Sequence, residues 1–346
     1  MPSLLPQIDP DGLLEYSVVF TDRSLNHMSK QFQGVMNDIS AILKTVYHAH
    51  AVAVIPGGGT YAMEAVARQI AQNQKCMVIR NGFFSFRWSQ ILEMGHITTD
   101  ITVMKARPVA QGSQQPFAPA PIDEVLDAIA TQKPAVVFAP HVETASGMIL
   151  PDDYIKAVAD AVHAVGGLFV LDCIASGAMW VNMQTTGVDV LISAPQKGWS
   201  GSPCCGLVML SEAALAVVNA TTSNSFAVDL KKWLNIMQAY ENGGHAYHAT
   251  MPTDSIKYCR DMMQLAQKTG FDVLRNKQIE LGTKVRALLA DKGYISVAAP
   301  DYAAPGVVVC YTTDDAVQNG QKFTAQGLQI AAGVPLQCDE PADYKT

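Results

Sequence analysis

Six short apolar runs alternate with stretches whose apolar residues recur every three or four positions. That alternation restricts what the chain can fold into more than any other feature. The runs are 51–56 (AVAVIP), 75–80 (KCMVIR), 135–140 (AVVFAP), 168–172 (LFVLD), 189–195 (DVLISAP) and 205–211 (CGLVMLS). A strand that is apolar throughout is buried on both faces, and helices supply both covers in an α/β layer, so the pattern predicts a mainly parallel sheet between helices. Ser24 is the expected cap of a first helix carrying Leu25, Met28, Phe32, Val35, Met36, Ile39, Leu43 and Val46 on one face. Further helices are expected over 60–72, 83–94, 122–132 and 151–166, with a Pro- and Gln-rich loop over 107–121. After about residue 228 helical spacing dominates, at 255–269 and 276–292, before two short strands near 294–299 and 306–312. The predicted organisation is an N-terminal arm over 1–20, a large domain over 21–250 and a smaller α+β domain over 251–346.

Composition excludes several classes. With 49% apolar and 16% charged residues, the 346-residue chain can bury a core and is unlike a disordered protein. A net charge of −7 with no basic stripe argues against nucleic acid as a partner. The longest weakly charged apolar stretch, Gly166 to Trp180, contains Asp172 and falls short of the roughly 20 residues a membrane span needs. The start of the chain is acidic and proline-rich, unlike a secretory signal. Seven cysteines, two of them adjacent at 204 and 205, form no metal-binding spacing and read as reduced thiols. The expectation is a cytoplasmic protein without a metal.

In open α/β sheets ligands bind beyond the carboxyl ends of the strands, so the residues that follow each run are the candidates. Gly57-Gly58-Gly59-Thr60 opens a helix after the first run. Such a turn suits a phosphate, because glycines admit close approach and helix-start N–H groups attract anions, but it is equally a plain tight turn. Phe84 follows the second run and can stack on a ring or simply fill a core. Asp172 closes a buried run; it can hold a cation or act as a turn residue. Lys197 is the only lysine between Lys156 and Lys231. Partly desolvated, it would be a Schiff-base former; otherwise it is a solvated surface group. A phosphate needs donors, a pyridinium needs a carboxylate and an aldehyde needs an amine, and pyridoxal 5′-phosphate carries all three groups.

The segments GGGTYAMEAV (57–66), NGFFSFR (81–87), HVETASG (141–147), LDCIAS (171–176) and SAPQKGWSGSP (193–203) together resemble the class V aminotransferases. They are most similar to the alanine–glyoxylate and serine–glyoxylate branch. The resemblance implies the type I fold of pyridoxal-phosphate enzymes: a large domain with a seven-stranded, mainly parallel sheet, and a small C-terminal α+β domain. It implies Lys197 as the lysine of the internal aldimine and Asp172 as partner of the pyridine nitrogen. Phe84 and Ile174 would cover the two faces of the ring, and Thr144 would reach its phenolic oxygen. Gly58, Gly59, Thr60 and Gln196 fall on the phosphate cradle. In YHATMP (247–252), Tyr247 and Thr250 would reach the phosphate of a neighbouring subunit, which implies a homodimer with shared sites. The expected reaction moves an amino group from a small amino acid to an oxo acid such as glyoxylate or pyruvate.

The family carries a carboxylate-binding Arg in a Phe-Arg-Ile-Gly-like motif, and this sequence stops at Asp343-Tyr344-Lys345-Thr346 where that motif would begin. It therefore reads as shortened by roughly 30 residues, about a helix and a strand or two. Arg87 would be a substitute anchor or a surface residue. Three other readings stay open: a 2-aminoethylphosphonate transaminase, a cysteine-desulfurase-like lyase using Cys310 or Cys338, and a catalytically impaired dimeric relative.

Overall fold

The computed structural model describes residues 25–346. The expected arm over 1–20 and the Ser24 cap lie outside the described residues. One seven-stranded sheet is built from β1 (Ala51–Pro56), β2 (Cys76–Arg80), β3 (Ile101–Lys105), β4 (Val136–Pro140), β5 (Leu168–Asp172), β6 (Val190–Ser193) and β7 (Cys205–Leu210), in the order β1-β7-β6-β5-β4-β2-β3. The described residues divide into two compact units.

The first unit holds the described residues up to Ile70, with Trp180–Gln184 and Asp189–Phe271. β7 runs antiparallel to β1, from Ala51 opposite Leu210 to Pro56 opposite Cys205, and antiparallel to β6. β1 and β6 therefore point the same way, and the one reversed strand agrees with the mainly parallel sheet expected. Helices α1 (Lys30–Tyr47) and α2 (Gly59–Ile70) belong to this unit. The cap of α1 is Ser29, whose hydroxyl accepts the Phe32 N–H at 3.1 Å. Residues 26–29 form a turn instead, with the Met28 N–H on Asn26 Oδ1 (2.8 Å) and the Ser29 N–H on Asn26 O (3.1 Å). That turn satisfies the backbone groups a longer helix would have used. Gly206 in β7 faces the start of α2: a Cβ there would lie 2.4 Å from Ala62 Cβ and 2.8 Å from Gly58 O. Only glycine lets the strand approach the turn so closely.

The second unit holds Ala71–Met179, Thr185–Val188 and the chain from Asp272 on. Its strands β2, β3, β4 and β5 are mutually parallel where paired. Helices α3 (Phe83–Met94), α4 (Ile122–Gln132) and α5 (Asp152–Ala164) match the sequence spacing. Trp88 of α3 stacks on Phe138 of β4 with ring centroids 4.3 Å apart, both fully buried. The seventh strand, β3, was absent from the apolar runs because it lies at the sheet edge, half-buried throughout, with Thr102 and Lys105 in its length.

The strands expected near 294–299 and 306–312 are reduced to an isolated bridge, Ser296 opposite Cys310. Pro300 directly follows the first segment and Pro305 directly precedes the second, which opens on Gly306, so the connection between them is bounded by residues that favour no ladder; proline brings no N–H to one. The 297–299 backbone brackets Phe117 instead, with Phe117 N–H on Val297 O (2.7 Å) and Ala299 N–H on Phe117 O (2.9 Å). Phe117 thus leaves the expected loop to enter a satellite core with Met148, Val297, Tyr311 and Leu336. One long helix, which begins at Phe271 and ends at Asp291, carries Arg286 across this region. Its guanidinium donates to the carbonyls of Ala304 (2.7 Å), Val307 (2.8 Å) and Gly147 (3.2 Å) and to Ser296 Oγ (3.1 Å).

Candidate active site

In the first unit the carboxyl ends of β1 and β6 carry the glycine turn and the lysine. Gly57 donates its N–H to Cys204 O at 2.9 Å and adopts φ of 120°, and a Cβ there would strike the Tyr61 ring. The N–H groups of Tyr61 and Ala62 both reach Gly58 O, so those of Gly59 and Thr60 precede the helical ladder. A Cβ at Gly58 would meet nothing within 4 Å, so the turn has open space in front of it.

Lys197 sits in a turn closed by Gly201 N–H on Pro195 O (2.8 Å) and Ser200 N–H on Lys197 O (3.1 Å). Trp199 anchors that turn. It is buried among Trp180, Phe271 and Tyr47, at centroid distances of 4.8, 6.1 and 6.3 Å. With Trp199 turned inward, Gln196 and Lys197 are exposed. Of the two readings open for Lys197, a partly desolvated amine or a solvated one, the single chain shows the solvated one.

Tyr247 and Thr250 share one loop, their hydroxyls 3.4 Å apart. Both are exposed, Tyr247 by 65%. With His27, Met251 and Asp254 they line a cavity of about 440 Å³.

In the second unit the carboxyl ends of β2, β4 and β5 carry Phe84, Thr144, Asp172 and Ile174. Asp172 is 8% exposed and accepts the Ile174 N–H at 2.9 Å. Burial pushes its carboxyl up to about 7, Glu143 adds to the rise, and the Ile174 bond and Arg87 oppose it. A buried acid in this condition gains from a cationic partner. His141 donates its N–H to Asp172 O at 2.8 Å, and its Nδ1 lies 2.7 Å from Ser176 Oγ. Burial lowers the imidazole to about 4, so it is neutral at pH 7. Gln278 fixes the following loop, accepting from Ala178 N–H (2.8 Å) and donating to Ser176 O (3.2 Å).

Phe84 is half-buried, edge-on to Phe83, with the Arg87 guanidinium 4.7 Å from its ring centroid. Thr144 and Ile174 are half-buried as well.

The structure thus groups Gly58, Gly59, Thr60, Gln196, Lys197, Tyr247 and Thr250 in one unit, and Phe84, Thr144, Asp172 and Ile174 in the other. The sequence reading assigned no role to Glu143, His141 or Ser176. The available signal was the polar cluster in HVETASG directly after a fully buried strand. The two candidate sulfur nucleophiles are held back by burial: Cys338 is pushed up to about 12 and Cys310 is also raised. Open space at a glycine turn, an outward lysine and a buried acid of raised pKa suit a phosphate-bearing aldehyde with a basic ring nitrogen.

A family model described as aminotransferase class-V matches residues 13–342. A protein named soluble hydrogenase, small subunit, from Synechococcus is 25% identical over 89% of this chain and 77% of its own length. An alanine–glyoxylate aminotransferase from Rattus norvegicus is 26% identical over 72% of this chain, and the match spans 58% of that protein. A 2-aminoethylphosphonate–pyruvate transaminase from Klebsiella pneumoniae is 26% identical over 86% of this chain and 78% of its own length. Among solved structures, an alanine–glyoxylate aminotransferase from Nostoc superposes with a TM-score of 0.76 at 21% identity, covering 90% of this chain and 80% of that one.

Proposed function

Because the chain belongs to the class V aminotransferases, we propose that it is a pyridoxal-phosphate-dependent transaminase. It takes the amino group from a small amino acid of alanine or serine type and passes it to an oxo acid such as glyoxylate or pyruvate. The observation that carries this reading is Asp172, a carboxyl buried at the carboxyl end of β5 and held by the Ile174 N–H. Ionised, it is the partner a protonated ring nitrogen requires, and that cation would draw its proton off.

When bound, pyridoxal phosphate supplies a carbonyl for the incoming amine and a ring that accepts the electron pair left by the α-proton. The chain's own residues do the rest. Gly58, Gly59, Thr60 and Gln196 hold the phosphate. Phe84 and Ile174 bear on the ring faces, and Thr144 bonds the phenolic oxygen. Asp172 keeps a proton on the ring nitrogen. Lys197 Nζ would hold the aldehyde and, once free, would serve as the base that takes and returns the substrate's α-proton. Tyr247 and Thr250, both exposed, act on the phosphate of a second copy, which makes the functional unit a homodimer.

The test is borohydride reduction followed by peptide mass spectrometry. The phosphopyridoxyl mass belongs on Lys197; its appearance on another residue, or on none, refutes the reading.

A 2-aminoethylphosphonate donor is the second reading, favoured by the match over 78% of the Klebsiella relative. Oxo-acid formation from alanine, serine and 2-aminoethylphosphonate, measured side by side, decides between donors. Sulfide release from cysteine would mark a lyase, against which the raised Cys338 and Cys310 speak. Cofactor binding without turnover on any donor would mark an impaired relative.

A further inference from the structure

α3 begins without an acidic residue in its own first turn. A helix start carries partial positive charge and unpaired N–H groups, and both are stabilised by an anion. Here the carboxyl arrives from 58 residues away; burial pushes it up, and the hydrogen bonds it accepts from Ser85, Ala145 and Phe84 pull it back toward the ionised form. Glu143, fully buried, accepts the N–H of Phe84 (3.1 Å) and the N–H and hydroxyl of Ser85 (2.8 and 2.7 Å). It also accepts the N–H of Ala145 at 3.0 Å, and so binds the residue beside Thr144 as well.

Ser85 Oγ in turn accepts the N–H groups of Asn81 (2.9 Å) and Gly82 (3.1 Å). The corner between β2 and α3 is thereby tied to a single carboxylate. Gly82 leaves the room for it: a Cβ at that position would lie 2.6 Å from Glu143 Cγ. One turn further on, Arg87 stacks over the Phe84 ring.

We propose that Glu143 is a positioning residue: it clamps the first turn of α3 and so fixes the angle at which Phe84 meets the cofactor ring. This deepens the transaminase reading and rests on it. The clamp carries no chemistry and touches neither substrate nor cofactor. Its effect passes through the Phe84 backbone. Glu143 also raises the Asp172 carboxyl, so two of the groups assigned to the ring, Phe84 and Asp172, respond to it.

The test uses holoenzyme of wild type, Glu143→Gln and Ser85→Ala. Glu143→Gln keeps the shape but turns an amide donor toward donors that need an acceptor, whereas Ser85→Ala removes one donor and leaves the carboxylate. Three quantities are read: visible circular dichroism of the bound cofactor, its dissociation constant, and hydrogen exchange of the peptide covering 82–87. In Glu143→Gln the cofactor dichroism falls by about half or more, the dissociation constant rises roughly tenfold, and exchange at 84–85 quickens roughly tenfold, as expected on losing a charged hydrogen bond. Borohydride still fixes the cofactor on Lys197. Ser85→Ala shifts all three the same way by less.

Unchanged dichroism in both variants overturns the inference, as does exchange that quickens equally across the whole sheet. If Glu143→Gln does not fold, unaltered dichroism in Ser85→Ala is sufficient to reject it. Failure of the wild type to bind the cofactor would sink the transaminase reading itself, and is seen separately.

Discussion

Replacing Asp172 with Asn should tilt a pH–stability curve that Asp172 and His141 together keep level. The Asp172 carboxyl is at about 7 in the fold, above its ordinary value near 3.8, so the folded chain holds a proton the unfolded chain has lost. Its contribution is complete at low pH and disappears as pH rises through about 7. The His141 imidazole is at about 4, below its ordinary 6.5, so here the unfolded chain holds the extra proton. Its contribution is complete above about 6.5 and is lost as pH falls toward 4.

Each bound proton of difference is worth about 1.4 kcal/mol per pH unit. Over the shared window the two slopes have opposite sign and cancel. A shift of about three units bounds the Asp172 share at about 4 kcal/mol, and one of about two and a half bounds the His141 share at about 3 kcal/mol. Asp172→Asn removes the Asp172 slope and leaves that of His141. The stability of the variant relative to wild type should therefore climb by about 1.4 kcal/mol per unit between Asp172's ordinary 3.8 and its folded value of about 7.

Urea unfolding of cofactor-free protein, at one protein concentration and several pH values, measures this difference. The subtraction removes every other titrating group. A difference that stays flat with pH would show that Asp172 does not titrate as its burial demands. Saturating wild type with cofactor should remove the Asp172 share, because a cationic ring nitrogen lowers that carboxyl.

Three further outcomes are expected. Lys197→Ala should lower turnover by roughly 10²–10⁴-fold, the usual share of a positioned proton-transfer group, as read by oxo-acid release. Gly206→Ala should cost about 1–3 kcal/mol from overpacking against Ala62 and Gly58. It should also weaken cofactor affinity, measured by fluorescence titration, and Val208→Ala on the same strand should not. Arg286→Lys should cost about 2 kcal/mol in urea unfolding, because a point-charge amine cannot bond Ala304, Val307, Gly147 and Ser296 at once.

The strands that could be read in the sequence are those with no polar interruption, such as Val136–Pro140 and Leu168–Asp172, since burial on both faces leaves no place for polar side chains. β3 escaped because an edge strand tolerates Thr102 and Lys105. The reversal of β7 was equally invisible. A uniformly apolar run carries no mark of direction, and only its pairing with β1 reveals it. The cap at Ser29 was not read from the sequence; its hydroxyl takes the Phe32 N–H after the turn at Asn26. Among the residues proposed for the site, Lys197 and Asp172 could be singled out from sequence because a lone charge beside an apolar run is conspicuous. Glu143 could not, since its partners Phe84 and Ser85 lie 59 and 58 residues away.

β1 ends the sheet and has a single neighbour, β7, which lies some 150 positions later in the chain. Contacts so distant in sequence form late, because the intervening loop must close before any bond rewards it. On the ribosome, the glycine turn at the end of β1 waits in an unfinished state until residues beyond Leu210 have emerged. A nascent chain arrested before that point would lack a settled turn at Gly57–Thr60, so under the proposed reading cofactor capture should coincide with completion of the sheet and should not guide its earlier assembly.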